Sequence, residues 1–243
     1  MLRAMSPTEI TQEESHVGLL AGFVELLLDQ SPRTVLDVGC GSGGLLRACA
    51  ERGLVVAGVD RPGDRFDRLE ALAGEGFAVH AGSAYDLPFA DGAFDWVTLR
   101  HVPHHLERPA EAIAEALRVA GTGLLVGEPC FDERVPGQAA AHALDVWEKR
   151  QHRRGGMYHD EVHTEAALRA MLRDGLGPVQ VDAVTIPPVG MRSVPSFLES
   201  ARALLARLPE DATEAAALDA LVEQLERDGL AWNGTVCVLV RKP

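Results

Sequence analysis

Four glycines occur within six positions directly after an apolar segment, in VLDVGCGSGG at residues 35–44. The apolar residues predict a strand, and the following LLRACAERG predicts a helix. Glycine has no side chain, so such a turn lets a ligand approach the backbone of Gly39, Gly41 and Gly43 closely. Gly39, Gly41 and Gly44 also satisfy the G-x-G-x-x-G pattern of dinucleotide-binding loops. The glycines alone therefore predict a nucleoside site and leave the type of nucleoside open.

Asp37 precedes the first glycine by two residues, and its charge favours a cationic ligand. A pyrophosphate binds at a helix N-terminus, where a nearby carboxylate would repel it. S-adenosylmethionine carries an ammonium group and a sulfonium but no phosphate, so an acidic residue suits it. The segment D-V-G-C-G-S-G at 37–43 resembles motif I of the class I S-adenosylmethionine-dependent methyltransferases. This resemblance implies that the loop, including Cys40, holds the methionine part of the cofactor.

Asp60 ends the second predicted strand, at a place where a carboxylate can bind a ribose. A carboxylate can accept hydrogen bonds from both ribose hydroxyls at the end of such a strand. A turn or helix-capping aspartate before Arg61 and Pro62 is the alternative interpretation. If the cofactor interpretation holds, we expect Arg61 to stack on or flank the adenine.

The segment AGSAYDLPFADGAFDWV at 81–97 is similar to the part of the same family that contacts adenine. The resemblance assigns Ser83 and Ala84 to the adenine site. Ser83 stands where the family usually has Asp or Asn, so either Ser83 or Asp86 is expected to bind the adenine amino group.

Three histidines follow the fourth predicted strand, in RHVPHHLERP at 100–109. Imidazole titrates near neutral pH, which suits a proton acceptor for methyl transfer to a hydroxyl. Members of the family carry similar H-x-x-H-H-L segments. The resemblance implies that Arg100 and His101 contact the methionine part and that His104 and His105 supply the base. A helix-capping or loop-holding role for the paired histidines is the alternative.

Glu128 follows the fifth predicted strand, where related enzymes place a carboxylate in the active site. It is expected to orient a histidine or to act as the base itself, and an exposed strand-end acid is the alternative. His101, His104 and His105 have a spacing that could bind a metal, but the glutamate of an H-E-x-x-H motif is missing. We therefore expect no metal.

The acceptor side of the site is predicted from the segment after the fifth strand. Trp147, Tyr158 and His159 are the residues that we expect to contact the acceptor. A basic group is a candidate for binding a carboxylate or phosphate of the substrate, and it consists of Arg150, Arg153 and Arg154. Helix packing and a solvated basic face are the alternatives.

The predicted elements that carry these residues alternate between strand and helix along the chain. This order predicts an α/β fold with a doubly wound, mostly parallel sheet. Together with the resemblance this gives a Rossmann-like methyltransferase fold with seven strands and an N-terminal helix at 8–29. The predicted strands are 33–38, 54–60, 77–84, 94–101, 123–129, 179–186 and 235–243. The further predicted helices are 43–52, 109–119, 138–152, 164–174, 195–207 and 212–228. We expect one domain over residues 1–243, with a core at 30–129, a lid at 130–163 and a helical insert at 187–230.

Composition narrows the substrate class. There are 23 basic and 36 acidic residues, a net charge of −13, which disfavours nucleic acid and anionic membrane. The four cysteines are scattered, and no signal peptide or membrane span is recognised, so a cytoplasmic protein is expected. We expect a small-molecule acceptor methylated by S-adenosylmethionine, with S-adenosylhomocysteine as product. Protein or RNA methylation, a nicotinamide oxidoreductase and a non-catalytic nucleoside-binding module are the alternatives.

Overall fold

The computed structural model describes residues 12–71, 74, 76–173, 179–188 and 190–243. The strands are β1 (Thr34–Val38), β2 (Val55–Asp60), β3 (Phe77–Ala81), β4 (Phe94–Arg100), β5 (Ala120–Cys130), β6 (Gln180–Ile186) and β7 (Gly234–Arg241). The helices are α1 (Gln12–Leu28), α2 (Gly44–Ala50), α3 (Asp64–Glu70), α4 (Pro109–Val119), α5 (Pro136–Arg154), α6 (Glu165–Arg173), α7 (Val194–Leu205) and α8 (Ala212–Asp228). A 3-10 turn at Pro103–His105 follows β4.

The strands form one seven-stranded sheet in the order β3-β2-β1-β4-β5-β7-β6. Parallel pairs join β1 to β2 and β4, β2 to β3, and β4 to β5. The central strands are buried along most of their length, as expected where helices cover both faces of a sheet. The α/β, doubly wound fold predicted from the sequence is confirmed, and the carboxyl ends of β1, β4 and β5 lie side by side.

Three elements differ clearly from the sequence prediction, and the first is β3, which ends at Ala81 rather than at residue 84. Helix α3 (Asp64–Glu70) was not expected, because its sequence DRFDRLE is mostly charged. Among its side chains that the structure describes, Phe66 and Leu69 are the buried ones. Strand β5 begins at Ala120 rather than at residue 123. Gly123 packs there so closely that a Cβ would lie 2.5 Å from the Val240 carbonyl oxygen. The contact is long-range, so the apolar pattern did not reveal it. The part of the predicted N-terminal helix at residues 8–11 lies outside the described residues.

The chain divides into two compact units, which we call the helical unit and the sheet unit. The helical unit comprises Met1–Leu19, Cys130–Glu161 and Pro187–Thr235. The sheet unit comprises Leu20–Pro129, Val162–Ile186 and Val236–Pro243. The helical unit contains nearly all of the predicted lid and insert. A single domain over the whole chain stays a prediction.

Each unit has its own apolar core. In the sheet unit, Phe23 and Leu27 of α1 pack in one cluster with Trp96 and Leu125. In the helical unit, α5, α7 and α8 contribute to a second cluster that includes Trp147 and buries its side chain almost completely. Among the described residues, none of the helices has the length and apolar character that crossing a membrane requires.

Candidate cofactor and active site

The glycine loop turns sharply after β1 and is tied to the end of β2. Gly39 has a φ of +73°, and a Cβ on it would lie 2.6 Å from Cγ2 of Val102. At Gly43 a Cβ would lie 2.5 Å from Cδ1 of Leu69, again with a left-handed φ of +76°. The Gly39 amide donates to the Val59 carbonyl at 2.7 Å. Both glycines are therefore required by backbone conformation and by close packing.

Asp60 holds the loop in place through both of its carboxylate oxygens. Oδ2 accepts the Gly41 amide at 2.7 Å, and Oδ1 accepts the Arg61 amide at 2.7 Å. A carboxylate has about four acceptor positions, so each oxygen retains capacity for a further donor. Asp60 thus fulfils the structural turn role and also keeps the capacity to bind two hydroxyls.

Asp37 is a buried acid near the loop. Only 4% of the residue is exposed, and the Thr98 hydroxyl donates to its Oδ1 at 2.8 Å. Burial raises its pKa to about 7, although the Thr98 hydrogen bond and the Arg100 charge act in the opposite direction. The side chain is therefore only partly ionised at neutral pH, and a cation beside it would favour the ionised form.

Arg100 and His101 lie where β4 ends. Burial lowers the pKa of Arg100, while the charge of Asp37 opposes that shift. Its Nε and Nη2 atoms are buried and have no hydrogen-bond partner within the described parts of the chain. His101 has a φ of +56° and donates its amide to the Gly127 carbonyl at 2.7 Å. Such a conformation costs a non-glycine residue of order 1–3 kcal/mol and is most common at functional sites.

The adenine segment forms a tight turn after β3. Ser83 and Asp86 pair as an isolated antiparallel bridge, and the Asp86 amide donates to the Ser83 carbonyl at 3.2 Å. The Ser83 hydroxyl oxygen accepts the Tyr85 amide at 3.2 Å. The exposed Asp86 carboxylate is thus the stronger acceptor available for an amino group, while half-buried Ala84 lies within the turn.

His104 and Glu128 form a buried pair across the ends of β4 and β5. His104 Nδ1 lies 2.9 Å from Oε1 and 2.8 Å from Oε2 of Glu128. Glu128 is 0% exposed and His104 is 5% exposed. The His163 amide also donates to Glu128, at 3.2 Å. The alternative of an exposed strand-end acid at Glu128 is therefore wrong.

The pairing gives the two ring nitrogens of His104 different roles. A carboxylate accepts hydrogen bonds, so the contact assigns the ring proton to Nδ1 and makes Nε2 the nitrogen that can take up a proton. His105 is exposed, and its ring centroid lies 4.3 Å from that of His104. His104 therefore has a carboxylate partner of the kind that orients a general base.

The helical unit holds the residues that were predicted to contact the acceptor. Trp147 is 1% exposed within the core of this unit, which is the packing role given as the alternative. Tyr158 is 40% exposed. His159 stacks on His152, with Nδ1 atoms 2.8 Å apart.

The predicted basic group is engaged in contacts within the helical unit. Arg150 pairs with Glu214 at 2.8 Å, and Arg154 lies 3.3 Å from Asp211. Arg153 donates to the carbonyl of His159 at 2.6 Å. These contacts favour the structural alternative over an anion-binding role.

Sequence reasoning did not include Thr98 or His163 in the site. Thr98 is a lone hydroxyl in the apolar segment FDWVTLRH, a signal that could have drawn attention to it. His163 contributes its backbone amide, for which side-chain patterns give no signal.

Part of the chain is similar in sequence to known methyltransferases. Residues 36–126 match a family model described as a methyltransferase domain. Ajmaline N-methyltransferase of Rauvolfia serpentina is 33% identical over 104 residues, which cover 40% of this chain and 36% of that protein. A probable chloroplastic tocopherol O-methyltransferase of Oryza sativa subsp. japonica is 33% identical over 101 residues, covering 39% and 28%. The chain thus spans well under half the length of these two relatives.

The fold is shared with a solved structure of a cyclopropane-fatty-acyl-phospholipid synthase-like protein from Lactobacillus casei ATCC 334. The TM-score is 0.70 at 19% identity, and the match covers 98% of this chain and 96% of that chain. That identity supports the fold alone. The family model covers the glycine loop, Asp60 and the histidine segment. Together these matches support a class I S-adenosylmethionine-dependent methyltransferase domain over residues 36–126 of the chain.

Proposed function

We propose that the protein transfers a methyl group from S-adenosylmethionine to an oxygen or nitrogen of a small molecule, with His104 as general base. The observation that carries this proposal is the buried contact of His104 Nδ1 with both oxygens of Glu128. It lies at the carboxyl ends of adjacent strands, where ligands bind in doubly wound sheets.

The polar groups of the sheet unit fit the parts of the donor molecule. The turn at Gly39 and Gly43 leaves backbone where a side chain would clash, and Asp60 has capacity for the ribose hydroxyls. Asp37 suits the ammonium group because burial makes a cation its natural partner. The partnerless nitrogens of Arg100 are donors that suit the methionine carboxylate.

Asp86 would accept the adenine amino group, with Ser83 and Ala84 lining the turn and exposed Arg61 beside the ring. His101 and the Cys40 backbone complete the proposed methionine contacts. The Cys40 thiol faces the interior, because a Cβ on Gly58 would lie 2.7 Å from its Sγ.

His104 would accept the proton that the acceptor group loses. When bound, S-adenosylmethionine supplies a methyl group activated by its sulfonium. Glu128 would hold the imidazole in the reactive tautomer and stabilise its protonated form, as a carboxylate does for a histidine base. Such a base contributes about 10²–10⁴-fold to the rate.

The small-molecule class rests on charge and on the relatives. The net charge of −13 disfavours RNA. The two relatives named above are described as acting on ajmaline and on tocopherol, which are both small molecules. We propose the segments 130–163 and 187–230 as the acceptor-selecting part of the chain, with Tyr158 and His159 as candidate contacts.

Calorimetry followed by a transfer assay tests the proposal. The wild type should bind S-adenosylhomocysteine and not NAD; the reverse result would refute the cofactor assignment. With a panel of phenols and amines as acceptors, His104→Ala should lower kcat about 10²–10⁴-fold without changing S-adenosylhomocysteine affinity more than twofold. Glu128→Gln should lower kcat less, and His105→Ala is the matched control that should remain near wild type. Full activity of His104→Ala would refute the base assignment.

A further inference from the structure

Arg192 is a half-buried arginine clamped between two aromatic rings of the helical unit. Its Cζ lies 5.0 Å from the centroid of Phe197 and 4.9 Å from the ring of Trp232. Both aromatic residues are buried. The Arg192 amide donates to the Leu230 carbonyl at 2.7 Å, next to a bridge that pairs Met191 with Ala231. Backbone and side chain therefore hold the guanidinium in one place.

Within the described residues, no carboxylate oxygen lies within 4.0 Å of a nitrogen of this guanidinium, the distance that an ion pair requires. Three other arginines of the helical unit, Arg134, Arg150 and Arg154, each have an acidic partner. Burial lowers the pKa of Arg192, and the charge of Glu148 on α5 acts from a distance in the opposite direction. A cation that burial deprives of part of its hydration is stabilised by an anionic partner.

The geometry specifies the chemistry of such a partner. An aromatic ring that stacks on a guanidinium does not use the in-plane N–H groups, and this planar fork matches a carboxylate. A dianion such as phosphate would be repelled more strongly by nearby Glu148 than a monoanion would. Burial raises the pKa of Glu148, which eases its protonation when a monoanion binds.

We propose that Arg192 binds the carboxylate of a small organic acid. Arg192 then takes the anion-binding role that the sequence suggested for Arg150, Arg153 and Arg154.

Benzoate and its neutral analogue benzamide are suitable probes for the full-length protein, with binding followed by ligand-observed NMR. The wild type should bind benzoate at least tenfold more tightly than benzamide. Arg192→Met should weaken benzoate binding about 10- to 100-fold, the range for a charge-assisted hydrogen-bonded contact. Arg192→Lys should weaken it less, because the charge remains and the fork is lost. The matched control is Arg202→Met, an exposed arginine of α7, and it should change benzoate binding less than twofold.

Glu148→Gln separates this site from a purely structural role of Arg192. If Arg192 binds a carboxylate, the Glu148→Gln variant should bind benzoate as tightly as the wild type or more tightly, because a negative charge is removed. If Glu148 is instead the structural counterion, Glu148→Gln should lower the thermal midpoint and leave no preference for benzoate over benzamide. Equal affinity of the wild type for benzoate and benzamide would overturn the proposal. The same holds if Arg192→Met or Arg192→Lys keeps the full preference of the wild type for benzoate over benzamide.

The same protein should be titrated with S-adenosylhomocysteine. Benzoate binding without S-adenosylhomocysteine binding would refute the proposed function while leaving the carboxylate site intact. S-adenosylhomocysteine binding with no benzoate preference would refute the carboxylate site alone.

Discussion

Asp37→Asn should change the pH dependence of stability in a direction that follows from burial. The folded ligand-free protein raises the pKa of Asp37 from 3.8 to about 7. Between those two values the native state holds the proton more firmly than the unfolded state does. The contribution of this group to stability is therefore fully present below the unfolded pKa and is lost as pH rises through about 7.

The size of the effect follows from the same two pKa values. Linkage between pH 5 and pH 8 gives a loss of about 2.5 kcal/mol in the free energy of unfolding of the wild type from Asp37 alone. Asparagine does not titrate, so Asp37→Asn lacks this loss. The stability of the variant relative to wild type should therefore increase by about 2.5 kcal/mol from pH 5 to pH 8, whatever the amide costs at a fixed pH.

Urea unfolding at several pH values between 5 and 8 measures this difference. Asp95→Asn is the matched control, because Asp95 accepts the Arg33 and Thr34 amides and its pKa is lowered. Asp95 stays ionised over this range, so the control should keep a constant difference from wild type. A constant difference for Asp37→Asn as well would refute the idea that burial controls the ionisation of Asp37.

The affinity for S-adenosylhomocysteine should also depend on the ionisation of Asp37, and it should rise with pH while this contribution to stability falls. A cation beside Asp37 favours its ionised form, so S-adenosylhomocysteine should bind about tenfold more tightly at pH 8 than at pH 6, with proton release. Asp37→Asn should bind weakly at both pH values. Calorimetry in buffers of different ionisation enthalpy measures the released proton.

Three further predictions concern the glycine loop and the helical unit. Gly39→Ala should lower S-adenosylhomocysteine affinity at least tenfold in calorimetry, whereas Gly53→Ala, with a φ of +80° and no atom within 4 Å of the added carbon, should retain it. Leu144→Ala should lower the free energy of unfolding by about 2–5 kcal/mol, measured in urea, because the side chain is buried in the helical core. Asp211→Ala should cost about 1 kcal/mol by the same measurement because Asp211 caps α8, while Asp219→Ala, exposed on that helix, should cost less than half as much.

Most of the fold was predictable because its signals are local. Helix α4 (Pro109–Val119) has the bounds predicted from its apolar spacing, and the buried strands match within a few residues. Helix α3 was missed because its sequence is mostly charged, so that Phe66 and Leu69 give too weak an apolar pattern. Strand β5 starts early because Ala120 pairs with Phe94 of β4 across a register shift, and these residues are distant in sequence.

The sequence specifies candidate residues for the donor side of the site more fully than it specifies the base. Asp37 and Asp60 lie in the strand–loop motif itself, so their types and spacing already indicate their chemistry. His104 and His105 are adjacent and chemically identical, and the sequence could not separate them. The turn at Pro103–His105 buries one ring and exposes the other, and Glu128 on another strand then fixes the tautomer of the buried one.

The arginines of the helical unit illustrate why residue type alone predicts ligand contacts poorly. A group of arginines near the end of α5 indicates an anion site by composition, yet Arg150 is paired with Glu214, which lies 64 residues away. Arg192 stands alone in sequence among prolines and small residues, and it is the arginine that packing leaves clamped without a close described carboxylate. Whether a charge is available to a ligand depends on which acids the fold brings to it. That property becomes visible only when the long-range contacts of the helical unit are known.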